Sequence, residues 1–227
     1  NALAYESENQ IFILNLEQQT STQVTHGDAI HYLGGWSPSG ESVAISARGA
    51  WSSHLMIVNR DTYEIQQVTE IQRGIYDYFV GWAQTDDEIL FNANRMSENL
   101  SLHRVDMNTG QISIYIPRLV GSMIWNRTRT HLLYSIGLPN FGQALYIRDW
   151  DTQDDVFINA DLEIIHENYV DLYWSPNNSH IAFESFQTDE DTSSYQISVL
   201  DVDTGEVIQI TTVSGSHQIM GWLPCSQ

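Results

Sequence analysis

Five tryptophans, at positions 36, 82, 125, 174 and 222, are separated by 46, 43, 49 and 48 residues. A period of this size means that one supersecondary unit is used repeatedly, and it removes most folds from consideration. The unit is clearest at Gly35-Trp36-Ser37-Pro38-Ser39-Gly40, followed by Val43-Ala44-Ile45-Ser46. One strand ends at the tryptophan, proline presets φ for a turn, glycine accepts a positive φ, and a second strand follows. The first core residue of that second strand comes seven positions after the tryptophan in four units, at Val43, Ile89, Leu132 and Ile181.

The second strands are apolar at nearly every position, as strands covered on both faces are. Third strands end at Asn59, Asp106, Asp149 and Asp201, each followed two residues later by Asp or Asn and then Thr. These are hairpin turns whose side-chain oxygens can bond the turn backbone. Fourth strands carry Gln-x-Thr, as at Gln67-Val68-Thr69 and Gln209-Ile210-Thr211. Four antiparallel strands in about 45 residues make a propeller blade. The sequence therefore predicts an all-β chain forming a single five-bladed β-propeller of four-stranded blades. The chain begins at a second strand, Leu3 to Ser7, and ends in an unaccompanied tryptophan strand, Gln218 to Pro224. Each end supplies what the other lacks, so the C-terminal strand is expected to complete the N-terminal blade and close the ring. The blades read as 1–27 with 216–227, then 28–72, 73–117, 118–162 and 163–215.

Charge narrows the partners. Asp and Glu number 29 against nine Lys plus Arg, all nine of them arginine, for a formal net charge of −20. Nucleic acid and acidic membrane surfaces are poor partners for such a field, whereas a protein or a glycan is not. No apolar run approaches the roughly 18 residues of a membrane helix, so no membrane insertion is expected. The single Cys225 excludes an intrachain disulfide. The acidity favours an extracytoplasmic setting, periplasmic or extracellular, and a monomer.

With Trp-Ser-Pro-x-Gly or Asn, an apolar strand, Asp-x-x-Thr-Gly and Gln-x-Thr, the units resemble the WD40-like (PD40) repeats of TolB-like propellers. They are similar also to the propeller domains of dipeptidyl-peptidase-IV-type and prolyl-oligopeptidase-type proteins. The resemblance covers the whole chain and is strongest at 35–40 and 173–185. It weakens at Trp82-Ala83-Gln84-Thr85-Asp86 and Trp125-Asn126-Arg127-Thr128-Arg129, which lack Ser-Pro. The resemblance implies binding more than chemistry, because the peptidases carry their catalytic groups in a separate domain. This chain has no Gly-x-Ser-x-Gly elbow.

Candidate site residues lie where innermost strands begin and where second strands turn into third strands. Five positions before each tryptophan are His31, Asp77, Val120, Tyr169 and His217. His31, Asp77 and His217 fall on consecutive blades around the expected closure and form a candidate metal or polar-ligand set. A divalent metal there is the one cofactor the residues allow; otherwise none is expected. Asp77 and Asp171 are the innermost carboxylates, which a five-bladed glycosidase would use as acid and base. The loops between second and third strands add Arg48, Trp51, Arg95, Phe141 and Phe186 as ligand contacts, with the acidic run Asp189-Glu190-Asp191. The repeated tryptophans read as core between blades. The favoured reading is a non-catalytic binding or interaction scaffold, with a lectin-like propeller and a glycoside hydrolase as alternatives.

Overall fold

The structure, a computed structural model, describes residues 1–95, 99–137, 143–159, 172–188, 193–212 and 215–222, with the side chains of 143, 159, 185–188 and 193 outside the description. Every described element is a strand, and the chain falls into two compact units, Asn1–Leu119 and Val120–Gln227.

The first unit holds three antiparallel sheets in succession. The first contains β1 (Ala2–Ser7), β2 (Gln10–Asn15) and β3 (Thr20–Gln23). The second contains β4 (Ile30–Trp36), β5 (Ser42–Arg48), β6 (Ser53–Asn59) and β7 (Ile65–Gln67). The third contains β8 (Asp77–Trp82), β9 (Glu88–Ala93), β10 (Ser101–Asp106) and β11 (Ile112–Ile116). The second unit holds β12 (Val120–Trp125), β13 (His131–Gly137), β14 (Gln143–Asp149) and β15 (Asp155–Asn159), then β16 (Leu172–Trp174), β17 (His180–Thr188), β18 (Ser193–Asp201) and β19 (Val207–Gln209). Every sheet is a meander of adjacent hairpins, so each has the architecture of a propeller blade. The first sheet has three strands among the described residues, and residues 215–222 lie outside any strand.

The seven-residue offset is realised: Val43, Ile89, Leu132 and Ile181 are all fully buried. They anchor apolar layers between sheets. Val43, Ile45 and Val58 meet Ile11, Ile13 and Val24, while Ala44 and Leu55 meet Ile89, Phe91 and Val105. In the second unit Leu133, Leu145 and Ile147 pack with Ile181, Phe183 and Leu200.

The repeated motifs each have a mechanical task. At the hairpin turns the last residue of the third strand accepts backbone N–H bonds from two and three residues on, as Asn59 does from Asp61 and Thr62, and Asp149 from Asp151 and Thr152, at 2.9–3.0 Å. The Gln-x-Thr threonine clasps the outer strand onto the third. Thr25, Thr69 and Thr211 accept from the N–H of Ile11, Leu55 and Ile197, each at 2.8 Å, while Gln23, Gln67 and Gln209 donate to those threonines' carbonyls.

The repeated tryptophan staples one sheet to the preceding one. The Trp82 indole N–H donates to Gly35 O at 3.0 Å, Trp174 to Ile124 O at 3.3 Å and Trp222 to Tyr173 O at 2.9 Å, always to the residue just before the preceding tryptophan. Three residues before the tryptophan a backbone N–H meets a second-strand side chain of the sheet before: Leu33 with the Glu6 carboxylate, Phe79 with Ser46 Oγ at 3.1 Å, Ile219 with Glu184 Oε1 at 2.8 Å. Ile219 and Trp222 thus make to their own unit's last sheet the contacts that innermost strands make elsewhere.

Candidate functional site

In the first unit, register aligns two rows of side chains on corresponding faces. His31 pairs Ala47, which pairs His54, across the second sheet; Asp77 pairs Ala93, which pairs Ser101, across the third. Directly opposed residues point to one face, and the central alanines leave room for the polar groups on either side. The second row supplies Asp77 to a buried ion pair.

Asp77 has no exposed surface, and both its oxygens are taken. Arg95 Nε donates to Oδ1 at 2.7 Å, while Arg95 Nη2 at 2.5 Å and Thr69 Oγ1 at 2.6 Å both donate to Oδ2. The local sequence explains why Thr69 reaches this carboxylate. In the first and last sheets the residue before the third-strand N–H is glutamine, and the threonine hydroxyl donates to it: Thr25 to Gln10 Oε1 at 2.9 Å, Thr211 to Gln196 Oε1 at 2.7 Å. In the second sheet that position is His54, and the hydroxyl proton goes to Asp77 instead. In the third sheet the threonine position is Ile116, opposite Leu102. There the buried Ser101 Oγ finds no hydrogen-bond partner among the described residues, and neither does His103 Nε2.

The two imidazoles beside the pair are held toward the neutral form. Burial lowers the pKa of His54, with the His31 ring adding to it and the Asp77 charge opposing it. Burial likewise lowers that of His103, opposed by its bond to the Ser101 carbonyl and by Asp77.

The ion pair anchors an exposed surface. Arg95 also donates to Glu70 O at 2.9 Å; Asn94 Nδ2 donates to Gly74 O and its Oδ1 accepts from Tyr76 N–H, both at 2.9 Å. This holds residues 70–76 against the turn between β5 and β6, where Gly74 N–H bonds Trp51 O at 2.8 Å and Ser53 N–H bonds Ile75 O at 3.1 Å. Trp51, at the tip of that turn, is 64% exposed, and the Arg73 guanidinium lies 5.1 Å from its ring centroid. Arg48, at the base of the turn, is exposed, and Tyr76 stacks on the exposed Tyr78 at 6.5 Å.

The expected positions divide accordingly. His31, Asp77 and Val120 are buried, whereas the exposed residues are Ile30 and Tyr32 on β4 and Tyr78 on β8. Side chains alternate along a strand, so Tyr32 and Tyr78 face away from His31 and Asp77. Asp77 and Arg95 are committed to each other, which leaves Asp77 no free oxygen for a metal or a glycosidic proton. The His31 ring approaches Asn9 O at 3.2 Å. His217, in the second unit, is partly buried and its N–H bonds Tyr195 O at 2.8 Å. Among the described residues no three His, Cys, Asp or Glu side chains gather as a metal set. Tyr169, Asp171, Phe141 and the run 189–191 lie outside the described residues, as does the side chain of Phe186. Arg48 and Trp51 stand together on the exposed surface. The sequence places His54 with Arg48 and Trp51 in the loop between second and third strands, but gives Thr69, Arg73 and Asn94 no site role; of these three only Thr69, in the Gln-x-Thr repeat, offered a signal.

No protein-family model matches the chain, and no curated protein matches it by sequence. Solved structures do. TolB from Acinetobacter baumannii superimposes with a TM-score of 0.61 at 13% identity over 90% of this chain, which spans 49% of that protein. The chain has the fold of TolB-like β-propellers. The dipeptidyl peptidase 4 of Porphyromonas gingivalis gives 0.61 at 14% identity over 95% of this chain and 38% of its own. An oligogalacturonate lyase in complex with manganese gives 0.60 at 18% identity over 89% and 58%. The TolB-like fold is thus shared by enzymes and by TolB itself. At such identities the likeness speaks for architecture alone.

Proposed function

We propose that this chain is a non-catalytic binding scaffold of the TolB-like kind, with its ligand, a protein, seated on the surface of Trp51, Arg48 and Arg73. The observation that carries this reading is the exposed Trp51 under a stacked guanidinium, held by a clasp whose root is the buried Asp77–Arg95 pair. Rigid aromatic and arginine side chains are the groups that dominate protein interfaces. A fixed loop avoids the entropic cost of ordering a mobile one. The finer architecture belongs to the same proposal: five blades in a ring, the segment from 216 onward completing the first sheet, in an extracytoplasmic protein. The inner-strand contacts of Ile219 and Trp222 support that arrangement. In the described residues no helix is long and apolar enough to cross a membrane.

The test is affinity capture from extracytoplasmic extract with the purified chain as bait, alongside Trp51→Ala and Arg48→Ala. A partner retained by the native chain, confirmed with purified partner and lost from both variants, supports the reading. Equal capture by all three moves the interface elsewhere.

A further inference from the structure

The second unit contains a cleft that the reading of the repeated tryptophans as core leaves unused. Its volume is about 470 Å³, and Trp125, Trp174, Trp222, Tyr173 and Arg127 line it with Ser175. That volume lies in the range of small-ligand sites. Of the repeated tryptophans only Trp82 is buried, at 4% exposed; these three, like Trp36, are partly open.

The indoles are fixed in advance. Trp174 and Trp222 spend their N–H groups on backbone carbonyls, so the carbon surface of the rings is what remains to meet a ligand. Trp125 is braced by the edge of Trp150 at 4.9 Å and by the Arg129 guanidinium at 5.6 Å. The Arg127 backbone N–H is held by Asn178 Oδ1 at 3.0 Å, while its side chain makes no ion pair among the described residues. In a chain of 29 acids and nine arginines, such an arginine beside three tryptophans is a specific arrangement.

The wall chemistry decides between ligand classes. A quaternary ammonium would suit an aromatic cage, but Arg127 repels it. A purely apolar group would cover the guanidinium without a partner, which is costly. A pyranose meets both demands, since its C–H face stacks on an indole and its hydroxyls accept from the guanidinium. We propose that this cleft is a saccharide-binding site, seating a short oligosaccharide with ring faces on the tryptophans and hydroxyls on Arg127.

The site is separate from the Trp51 surface, so the two readings fail separately. The purified chain is titrated with cellotetraose, chitotetraose, mannotetraose and decaproline by calorimetry, with tryptophan fluorescence in parallel. One tetrasaccharide is expected to bind saturably with a change in indole emission. Its affinity should fall about tenfold or more in Arg127→Ala and Trp125→Ala. It should be unchanged in Trp51→Ala. Circular dichroism checks that each variant is folded, and Arg127→Ala, which alters only a surface side chain, carries the test should Trp125→Ala unfold. Absence of binding by all three sugars, binding of decaproline alone, or sugar binding insensitive to Arg127→Ala overturns the proposal.

Discussion

Asp77 shows how one residue's neighbours decide its role. A carboxylate on an innermost strand reads as a candidate acid, but an arginine from the following loop and a threonine from the preceding sheet saturate it. Sequence spacing cannot reveal this, because Arg95 arrives from a segment whose path the repeat does not specify. A buried pair that loses one member leaves an uncompensated charge, so Asp77→Asn should cost about 3–5 kcal/mol by urea denaturation. Asp77→Leu combined with Arg95→Met should recover much of that loss; a double variant as unstable as Asp77→Asn would show that the charges themselves are needed. The neighbouring histidines give the site a pH dependence. His54 and His103 have folded pKa values below the ordinary 6.5, so below that pH the unfolded chain binds protons that the folded chain refuses. Their contribution is full above pH 6.5 and declines as the pH falls toward their folded values. The melting temperature should therefore drop on going from pH 7 to 5. His103→Phe, which keeps a ring against Phe91 and removes the orphan nitrogen, should flatten part of that drop. An unaltered slope would assign the effect to other groups. A likeness to a catalytic triad, Ser179 with His180 and Asp201, is resolved the same way. His180 lies 2.7 Å from Ser179 Oγ and 3.5 Å from Asp201, but Thr130, His131 and Asp149 repeat the geometry one sheet earlier, where Asp149 and His131 are simply opposed in a hairpin.

At the scale of elements, β4 and β8 approach so closely that only one residue type fits. A Cβ on Gly34 would lie 2.6 Å from Phe79 Cδ1 and 2.9 Å from Ala44 O, while one on Gly35 would have nothing nearer than 3.8 Å. Gly34→Ala should therefore destabilise by about 1–3 kcal/mol through overpacking, with Gly35→Ala milder. Equal losses from the two in denaturant melts would mean that strand propensity, not the inter-sheet gap, governs these positions. The Gly34 constraint was invisible in the sequence, because two adjacent glycines look alike until the neighbouring strand is placed. The strands themselves were legible: fixed offsets from each tryptophan locate the fully buried Val43, Ile89, Leu132 and Ile181, and Asn59, Asp106, Asp149 and Asp201 end their strands as read. What the repeat could not specify was parity at the start of the innermost strands. Register shifts between Leu33 and Gly35, and between Phe79 and Gly81, change which face a counted residue occupies. Hence counting back from the tryptophan gave buried His31 and Asp77, while Tyr32 and Tyr78 face solvent. The tryptophan cleft was hidden for a different reason, since identical motifs imply identical environments and Trp174 is more open than Trp82.

For the molecule as a whole the governing quantity is the charge of −20. Like charges repel more in the compact state than in the expanded one, so this excess opposes folding and should do so most at low ionic strength. Local ion pairs act in the opposite direction. Arg60–Asp61 and Arg104–Glu88 are substantially exposed, and solvent-exposed pairs of that kind contribute little to stability. Arg148–Asp155 is better shielded, and Arg95–Asp77 is buried beyond the reach of salt. Repulsion among the surplus acids therefore outweighs the screened pairs, and the melting temperature should rise as sodium chloride increases from about 10 to 200 mM, where the Debye length shortens from roughly 30 Å to under 10 Å. Sodium, potassium and tetramethylammonium should act alike at equal ionic strength, because general screening does not depend on the ion's coordination chemistry. The same titration examines the metal expectation for His31, Asp77 and His217. A site that binds a transition metal only in the folded state adds a stabilisation that grows with metal concentration beyond the ionic-strength curve. With Asp77 already saturated by Arg95 and Thr69, zinc or manganese should follow the common curve. An additional rise that disappears in His31→Ala would mean that the ion displaces Arg95 from the carboxylate, and would restore the metal reading of His31 and Asp77.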